Sequence, residues 1–245
     1  MTISVVIPAF NEQRRLPATL QRVVPYLAGR FAEYEVIVVD DGSSDDTAGV
    51  VAAAGSGRVR LLRYAPNRGK GHAVRTGVLA ATGEFILVSD ADLSTPIEEL
   101  ETLLQALDGC DVAIGSRATA QTRILRYQPW YRIVLGKTFN KIVRLLAVGG
   151  LNDTQCGFKC WRAAAARAVF SRSLIDGFAF DVETLFLARR MGFSIREVGV
   201  AWRNDPESKV HPLFHSAQML KDLLKIRTLA LCGRYRADRP QKPRP

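Results

Sequence analysis

The sequence predicts an α/β fold in which a mostly parallel sheet is flanked by helices, and three observations predict it. Five short β-branched or apolar runs alternate with stretches of helical period, the pattern of repeated strand–helix units. Phe85-Ile86-Leu87-Val88 is apolar at every position, as suits a parallel strand covered on both faces. Four successive runs end in polar clusters, which parallel topology gathers on one sheet edge, where open α/β sheets keep their ligands. At 245 residues the chain has length for about one large domain, placed at 1–233, with a basic, proline-rich tail over 234–245.

The first strand is Ile3 to Ile7, stopped by Pro8 and followed by the loop Ala9-Phe10-Asn11-Glu12. Leu16, Leu20, Val23, Val24 and Leu27 then recur at helical spacing and predict a helix packed on the sheet. The second strand, Glu35 to Val39, ends in Asp40-Asp41-Gly42-Ser43. Gly42 suits a tight turn, and Ser44 or Asp45 is placed to cap the helix carrying Val50 and Val51. Val59 to Tyr64 is the third strand, and Asn67-Arg68-Gly69-Lys70-Gly71-His72 opens the next helix. Two glycines and two cations at a helix start resemble an anion cradle, though they form neither Gly-x-Gly-x-x-Gly nor a P-loop. Pro96 starts a helix with Ile97, Leu100, Leu103, Leu104 and Leu107 on one face. A fifth strand, Asp111 to Ile114, ends in Gly115-Ser116-Arg117.

Asp90-Ala91-Asp92 closes the fourth strand. Two carboxylates crowded at the edge of an apolar core repel each other and lose solvation, so a divalent cation, Mg2+ or Mn2+, carrying a diphosphate is a fitting partner. An isolated Asp-x-Asp equally serves as a loop or cap motif; convergence with the neighbouring strand ends points to a site.

The formal net charge is +10, so the protein is drawn to polyanions such as nucleic acid, anionic lipid or a phosphorylated substrate. No apolar run approaches the roughly 20 residues of a spanning helix, and Met1 leads straight into a strand, so the expected location is cytoplasmic and peripheral to a membrane. Two stretches fit an interfacial helix, about 129–148 with Lys137, Lys141 and Arg144, and 214–231 with Leu220, Leu223, Leu224 and Leu231 beside Lys221 and Lys225; an ordinary surface helix has the same pattern. Cys110, Cys156, Cys160 and Cys232 are few and scattered, as expected of buried thiols in a reducing compartment.

With Pro8 to Glu12, Val38 to Ser43, Asn67 to Gly71 and Asp90 to Asp92 in this order, the chain resembles the inverting glycosyltransferases of the GT-A (Rossmann-like) fold. Asp153 to Lys159, Ala179 to Glu183, Val200 to Trp202 and Glu207 to Lys209 make it similar to the dolichyl-phosphate β-glucosyltransferases more than to the dolichyl-phosphate mannose synthases. The resemblance implies transfer of glucose from UDP-glucose, with GDP-mannose the alternative donor, to dolichyl or polyprenyl phosphate. It assigns Pro8, Ala9, Asn11, Glu12, Asp40, Asp41, Arg68, Lys70, Asp90, Ala91 and Lys209 to the nucleotide sugar. Asp90 and Asp92 fall to the metal; Arg117, Arg132, Gln155 and Asp181 to the acceptor; Asp92 and Arg117 to the transfer itself. The mannose synthases often carry Gln two residues beyond the second acid, where this chain has Ser94. Some relatives append spanning helices, so attachment here is expected to be peripheral, on an anionic membrane surface.

A lipid phosphate with a second pKa near ~6 is largely dianionic at neutral pH and needs positioning rather than a base. Were the acceptor a hydroxyl, Asp181 or Glu183 is the candidate base, their other role being that of first-turn helix acids. A non-catalytic nucleic-acid or membrane-binding module leaves the acidic strand ends unexplained and lacks an aromatic-rich sheet face, so no nucleic-acid partner is expected. A sugar-nucleotide pyrophosphorylase would carry a glycine-rich loop after the first strand, where this chain has Pro8-Ala9-Phe10-Asn11.

Overall fold

A computed structural model describes residues 1–55, 57–129, 136, 138, 140–144, 147–205 and 212–235, with side chains from 218 onward in the last segment. The strands are β1 Thr2–Ala9, β2 Glu33–Asp41, β3 Val59–Tyr64, β4 Phe85–Val88, β5 Val112–Ser116, β6 Arg123–Arg126, β7 Lys159–Arg162, β8 Ile195–Gly199 and β9 Ala201–Arg203. The helices are α1 Leu16–Ala28, α2 Thr47–Ala53, α3 Lys70–Ala80, α4 Leu100–Leu107, α5 Ala163–Phe170, α6 Phe180–Arg190 and α7 Pro212–Leu231, with a 3-10 turn at Ile97–Glu99 and helical backbone at 140–144.

The seven-stranded sheet runs β3-β2-β1-β4-β7-β5-β8, and β6 pairs with β9 apart from it. All pairings in the large sheet are parallel except those of β7, which runs antiparallel between β4 and β5, with Cys160 opposite both Leu87 and Ala113. The five expected strands are present and their carboxyl ends share one edge. The sheet is mostly parallel as expected, but the antiparallel β7 is not among the expected strands. Its four residues begin and end with a cation, and so short a segment lacks a periodic signal.

Alternation explains why these strands read as continuously apolar. Val6, Val39, Ile86, Val88, Ile114 and Trp161 face a core covered by α3, α5, α6 and α7. Val5, Val38, Leu87, Ala113 and Cys160 face the opposite core, closed by α1, the 3-10 turn and α4 through Leu20, Val23, Ile97, Leu100 and Leu103. Burying both faces removes the polar side that would otherwise mark a strand. Gly77 lets α3 approach β1 and β2, because a Cβ there would overlap Val6 and Val39.

Three expectations are corrected. The cap of α2 is Asp46, which accepts from the Gly49 amide, because Asp45 is drawn onto Thr47 and the Gln13 amide. Cys110, Cys156 and Cys160 are buried free thiols, but Cys232 is exposed. Leu223 faces the core, leaving Leu220, Leu224 and Leu231 exposed on α7. Among the described residues no helix is long and apolar enough to cross a membrane.

Candidate active site

The first two strand ends are laced together. Pro8 and Ala9 lie within β1, paired with Val39 and Asp40 of β2. Asn11, at φ 56°, donates its amide to Ser43 Oγ at 2.8 Å and accepts from the Ser44 amide at 2.8 Å. Glu12 is buried with both oxygens on Arg15, at 2.7 and 2.5 Å. The Arg15 guanidinium also meets Asp205 at 2.6 Å and lies 3.8 Å from Asp92. Asp40 is fully buried: Oδ1 accepts from the Ser43 amide, while Oδ2 makes no hydrogen bond and has Arg63 Nε at 3.1 Å.

Asp41 is spent locally. Its carboxylate accepts from Asn67 Nδ2 and from the amides of Arg68 and Gly69, all at 2.8–2.9 Å. It therefore shapes the loop that carries Arg68, whose side chain is exposed. Gly69, with φ 106°, and Gly71 are glycines because a Cβ on either would strike the backbone of Ile175, Asp176 or Gly177. The Asp176 carbonyl accepts from the Gly71 and His72 amides at 2.7 and 3.2 Å. Four amides around the start of α3, those of Arg68, Gly69, Gly71 and His72, are thus already satisfied within the chain.

Lys70 Nζ donates to Asp90 Oδ1 at 2.6 Å. Burial lowers its pKa, but Asp90, Asp181 and Asp92 together raise it further, so the ammonium is held above the ordinary lysine range. Ala91 is buried, and its carbonyl accepts from Thr19 Oγ1 at 2.5 Å. Asp92 Oδ1 accepts from the Ser94 amide at 2.8 Å. Burial first, and the charge of Asp90 second, push the Asp92 carboxyl above its usual range. A Cβ on Gly157 would overlap the Asp90 carboxylate, so the backbone of the 153–158 segment abuts this acid.

Arg117 follows directly on the carboxyl end of β5. Nε and Nη2 form a fork on Asp153 at 2.7 and 2.8 Å, the backbone amide adds a third bond, and the guanidinium lies 5.5 Å from the Trp202 ring centroid. Burial opposes ionisation of Asp153, but the Arg117 charge and hydrogen bonds hold its carboxyl below the usual range. Two of the three guanidinium nitrogens are thus engaged by Asp153. Gln155 directs Nε2 to Met219 Sδ at 3.5 Å, tying its loop to α7. Asp181 accepts from Lys159 Nζ at 2.5 Å. Glu183 accepts from the Leu174 and Ile175 amides at 2.8 and 3.0 Å and from Tyr235 Oη at 2.6 Å; it braces structure and is no candidate base. Arg132, Lys137 and Lys209 lie outside the described residues.

Comparison with known proteins decides the family. The description "Glycosyl transferase family 2" matches residues 4–174. The chain belongs to glycosyl transferase family 2. Relatives named dolichyl-phosphate beta-glucosyltransferase agree: the human protein is 38% identical across 98% of this chain and 79% of its own. The mouse protein is 40% identical over the same shares, and that of Saccharomyces cerevisiae 33% identical across 96% and 76%. Among solved structures, glucosyl-3-phosphoglycerate synthase from Mycobacterium tuberculosis in complex with UDP superposes with a TM-score of 0.70 over 92% of this chain and 79% of that one, at 22% identity. The same enzyme with Mn2+, UDP-glucose and phosphoglyceric acid scores 0.69 over 95% and 80%, at 22% identity. The GT-A-type fold expected from the sequence is the fold found, and the chain is a glycosyltransferase.

Three residues of this family 2 enzyme were not singled out from sequence. Arg15 immediately precedes α1, and its i, i+3 spacing from Glu12 is a pairing signal. Lys159 and Gly157 sit in the segment that carried the resemblance, but nothing local to them discloses that one meets Asp181 and the other Asp90.

Proposed function

We propose that the protein transfers glucose from UDP-glucose to dolichyl or polyprenyl phosphate, with inversion and with a divalent cation, Mg2+ or Mn2+, held by Asp90 and Asp92. The donor set fits. Two carboxylates supply hard oxygens, the donor type that Mg2+ and Mn2+ take, with water and substrate phosphate commonly completing a Mg2+ shell. When bound, the ion stabilises the negative charge that the departing diphosphate gains.

One observation carries the acceptor class. Asp181, the acid best placed to act as a base, is pinned by Lys159, and Glu183 is saturated by two amides and a phenol. A hydroxyl acceptor would need a free base, whereas a phosphate dianion needs only to be positioned. Names of the relatives supply the rest: dolichyl phosphate and glucose. Lys70, and Lys209 by resemblance, counter the donor diphosphate; Asp40, whose buried Oδ2 makes no hydrogen bond and is paired with Arg63, and the strand-one loop face the nucleoside. Arg117 orders the acceptor side through Asp153, and Arg132 contacts the lipid phosphate by resemblance. Exposed Leu220, Leu224 and Leu231 beside Lys221 and Lys225 favour a membrane surface bearing anionic lipid.

The test is incubation with Mn2+ and a short polyprenyl phosphate in the presence of UDP-glucose or GDP-mannose, followed by identification of the glycolipid. A glucolipid made from UDP-glucose is expected. A mannolipid would replace the donor, and transfer to a free hydroxyl with none to the lipid phosphate would overturn the acceptor.

A further inference from the structure

We propose that Lys70 is an exchangeable counter-cation: it occupies the Asp90 carboxylate before the donor arrives and moves to the donor diphosphate when a divalent ion takes its place. The inference rests on the assignment of Asp90 and Asp92 to a metal.

Asp90 keeps 31% of its side-chain surface in solvent, but one of its oxygens is taken. Oδ1 holds Lys70 Nζ at 2.6 Å, and the carboxylate packs so closely on Gly157 that no Cβ fits between them. An arriving cation and the ammonium therefore compete for one acid, and the stronger field of a divalent ion favours exchange once a second anion can receive the lysine. Asp181 Oδ1 is committed to Lys159 at 2.5 Å, so the ammonium of Lys70 is left to Asp90. The lysine backbone is immobilised: Gly69 is held by Asp41, and Gly71 and His72 by the Asp176 carbonyl. Only the side chain, which keeps 24% of its surface in solvent, has freedom to move. A diphosphate brought to the Asp90–Asp92 edge is the second anion within its reach, and because the divalent ion and the dianionic diphosphate cancel, the local net charge is the same before and after the exchange.

Exchange predicts effects of opposite sign on two ligands. Binding of Mn2+ alone is read by loss of the free-ion electron paramagnetic resonance signal, and binding of UDP in the presence of Mn2+ by calorimetry. Lys70→Met removes the competitor, so Mn2+ alone should bind about tenfold more tightly, while UDP should bind about tenfold more weakly, a coupling of ordinary size for linked sites. Lys70→Arg, which keeps a cation, should stay near wild type for Mn2+, and Lys70→Gln serves if the methionine variant does not fold. Unchanged or weaker Mn2+ binding in the folded Met or Gln variant would overturn the exchange. So would an Arg variant indistinguishable from Met. Wild-type protein that binds no Mn2+ with or without UDP, or an Asp90→Asn variant that binds it normally, would instead overturn the metal assignment beneath it.

Discussion

Lys159 Nζ lies 2.5 Å from Asp181 Oδ1, and the two side chains keep only 3% and 7% of their surface in solvent. The pair crosses from β7, the antiparallel strand between β4 and β5, to the first turn of α6. Lys159 also donates to the Cys156 carbonyl at 2.5 Å, so one ammonium fixes the loop that carries Gly157 and an acid next to Lys70. Burial drives the Asp181 carboxyl above its usual range, with Lys159 and Lys70 opposing.

Removing one member of such a pair leaves an uncompensated buried charge. Lys159→Met should destabilise the protein by about 3–5 kcal/mol in urea unfolding, and Asp181→Leu added to it should restore most of that loss. A double variant no more stable than the single one would show that the pair is not the source of the effect.

Gly157→Ala tests the contact with Asp90. The new methyl has no space beside the carboxylate, and a shift of roughly 1 Å in a catalytic group can lower rate about 10²-fold. Transfer should fall by that order while the thermal unfolding temperature stays within a few degrees of wild type. Turnover close to wild type would mean that Asp90 tolerates displacement.

How far the sequence could be read follows from range. Strands β1 to β5 and helices α1, α3 and α4 were legible because Val5, Val38, Leu87 and Leu103 sit in local periodic patterns. The strand-end clusters were legible because each polar run follows its own strand. Hidden from that reading was the pairing across distance: Asp41 with the 67–69 loop, Asp176 with α3, Arg117 with Asp153, and Lys159 with Asp181. Residue type announces that Arg117 wants an anion; only the fold shows that a carboxylate 36 residues away along the chain already supplies one.

Tyr235→Phe probes the end of the chain following α7. The phenol donates to Glu183 Oε1 at 2.6 Å in a buried setting, and its loss leaves that carboxylate with two amide donors. A cost of about 1–3 kcal/mol is expected, as for a buried acceptor deprived of a partner. UDP binding should be unaffected, because Glu183 braces the Leu174–Ile175 turn rather than a ligand; a variant of wild-type stability that binds UDP poorly would contradict this division.

Asp92→Asn removes one charge from the pair while its Oδ1 can still accept from the Ser94 amide. Transfer should drop by about 10²-fold or more, and chelation should abolish wild-type activity. The fold should survive or gain slightly, since the acid it removes is one that burial and Asp90 disfavour in the charged form. Activity indifferent to chelator would exclude a metal route.

The acid limb of stability should report on Arg117. Asp153 has a folded-state pKa below its unfolded value of about 3.9. Its contribution is therefore fully present above that value, where both states are ionised, and is lost as pH falls through the lower folded value. Arg117→Ala takes away the fork that depresses it, and burial, which works in the opposite direction, is left to act. The variant should be destabilised at neutral pH by on the order of 3 kcal/mol, and that deficit should shrink as the solution is acidified and Asp153 becomes neutral. Arg117→Lys, which retains charge but not the planar fork, should fall between. Urea midpoints at pH 7 and near pH 4 check the sign: a deficit that is constant or grows on acidification would show that Asp153 is not the group Arg117 holds ionised. Donor binding gives the second arm, since Arg117 touches Asp153 and Trp202 and none of the strand-one or strand-two loop residues. UDP affinity near wild type with a raised polyprenyl-phosphate requirement would place the arginine on the acceptor side, acting through the loop that Asp153 begins.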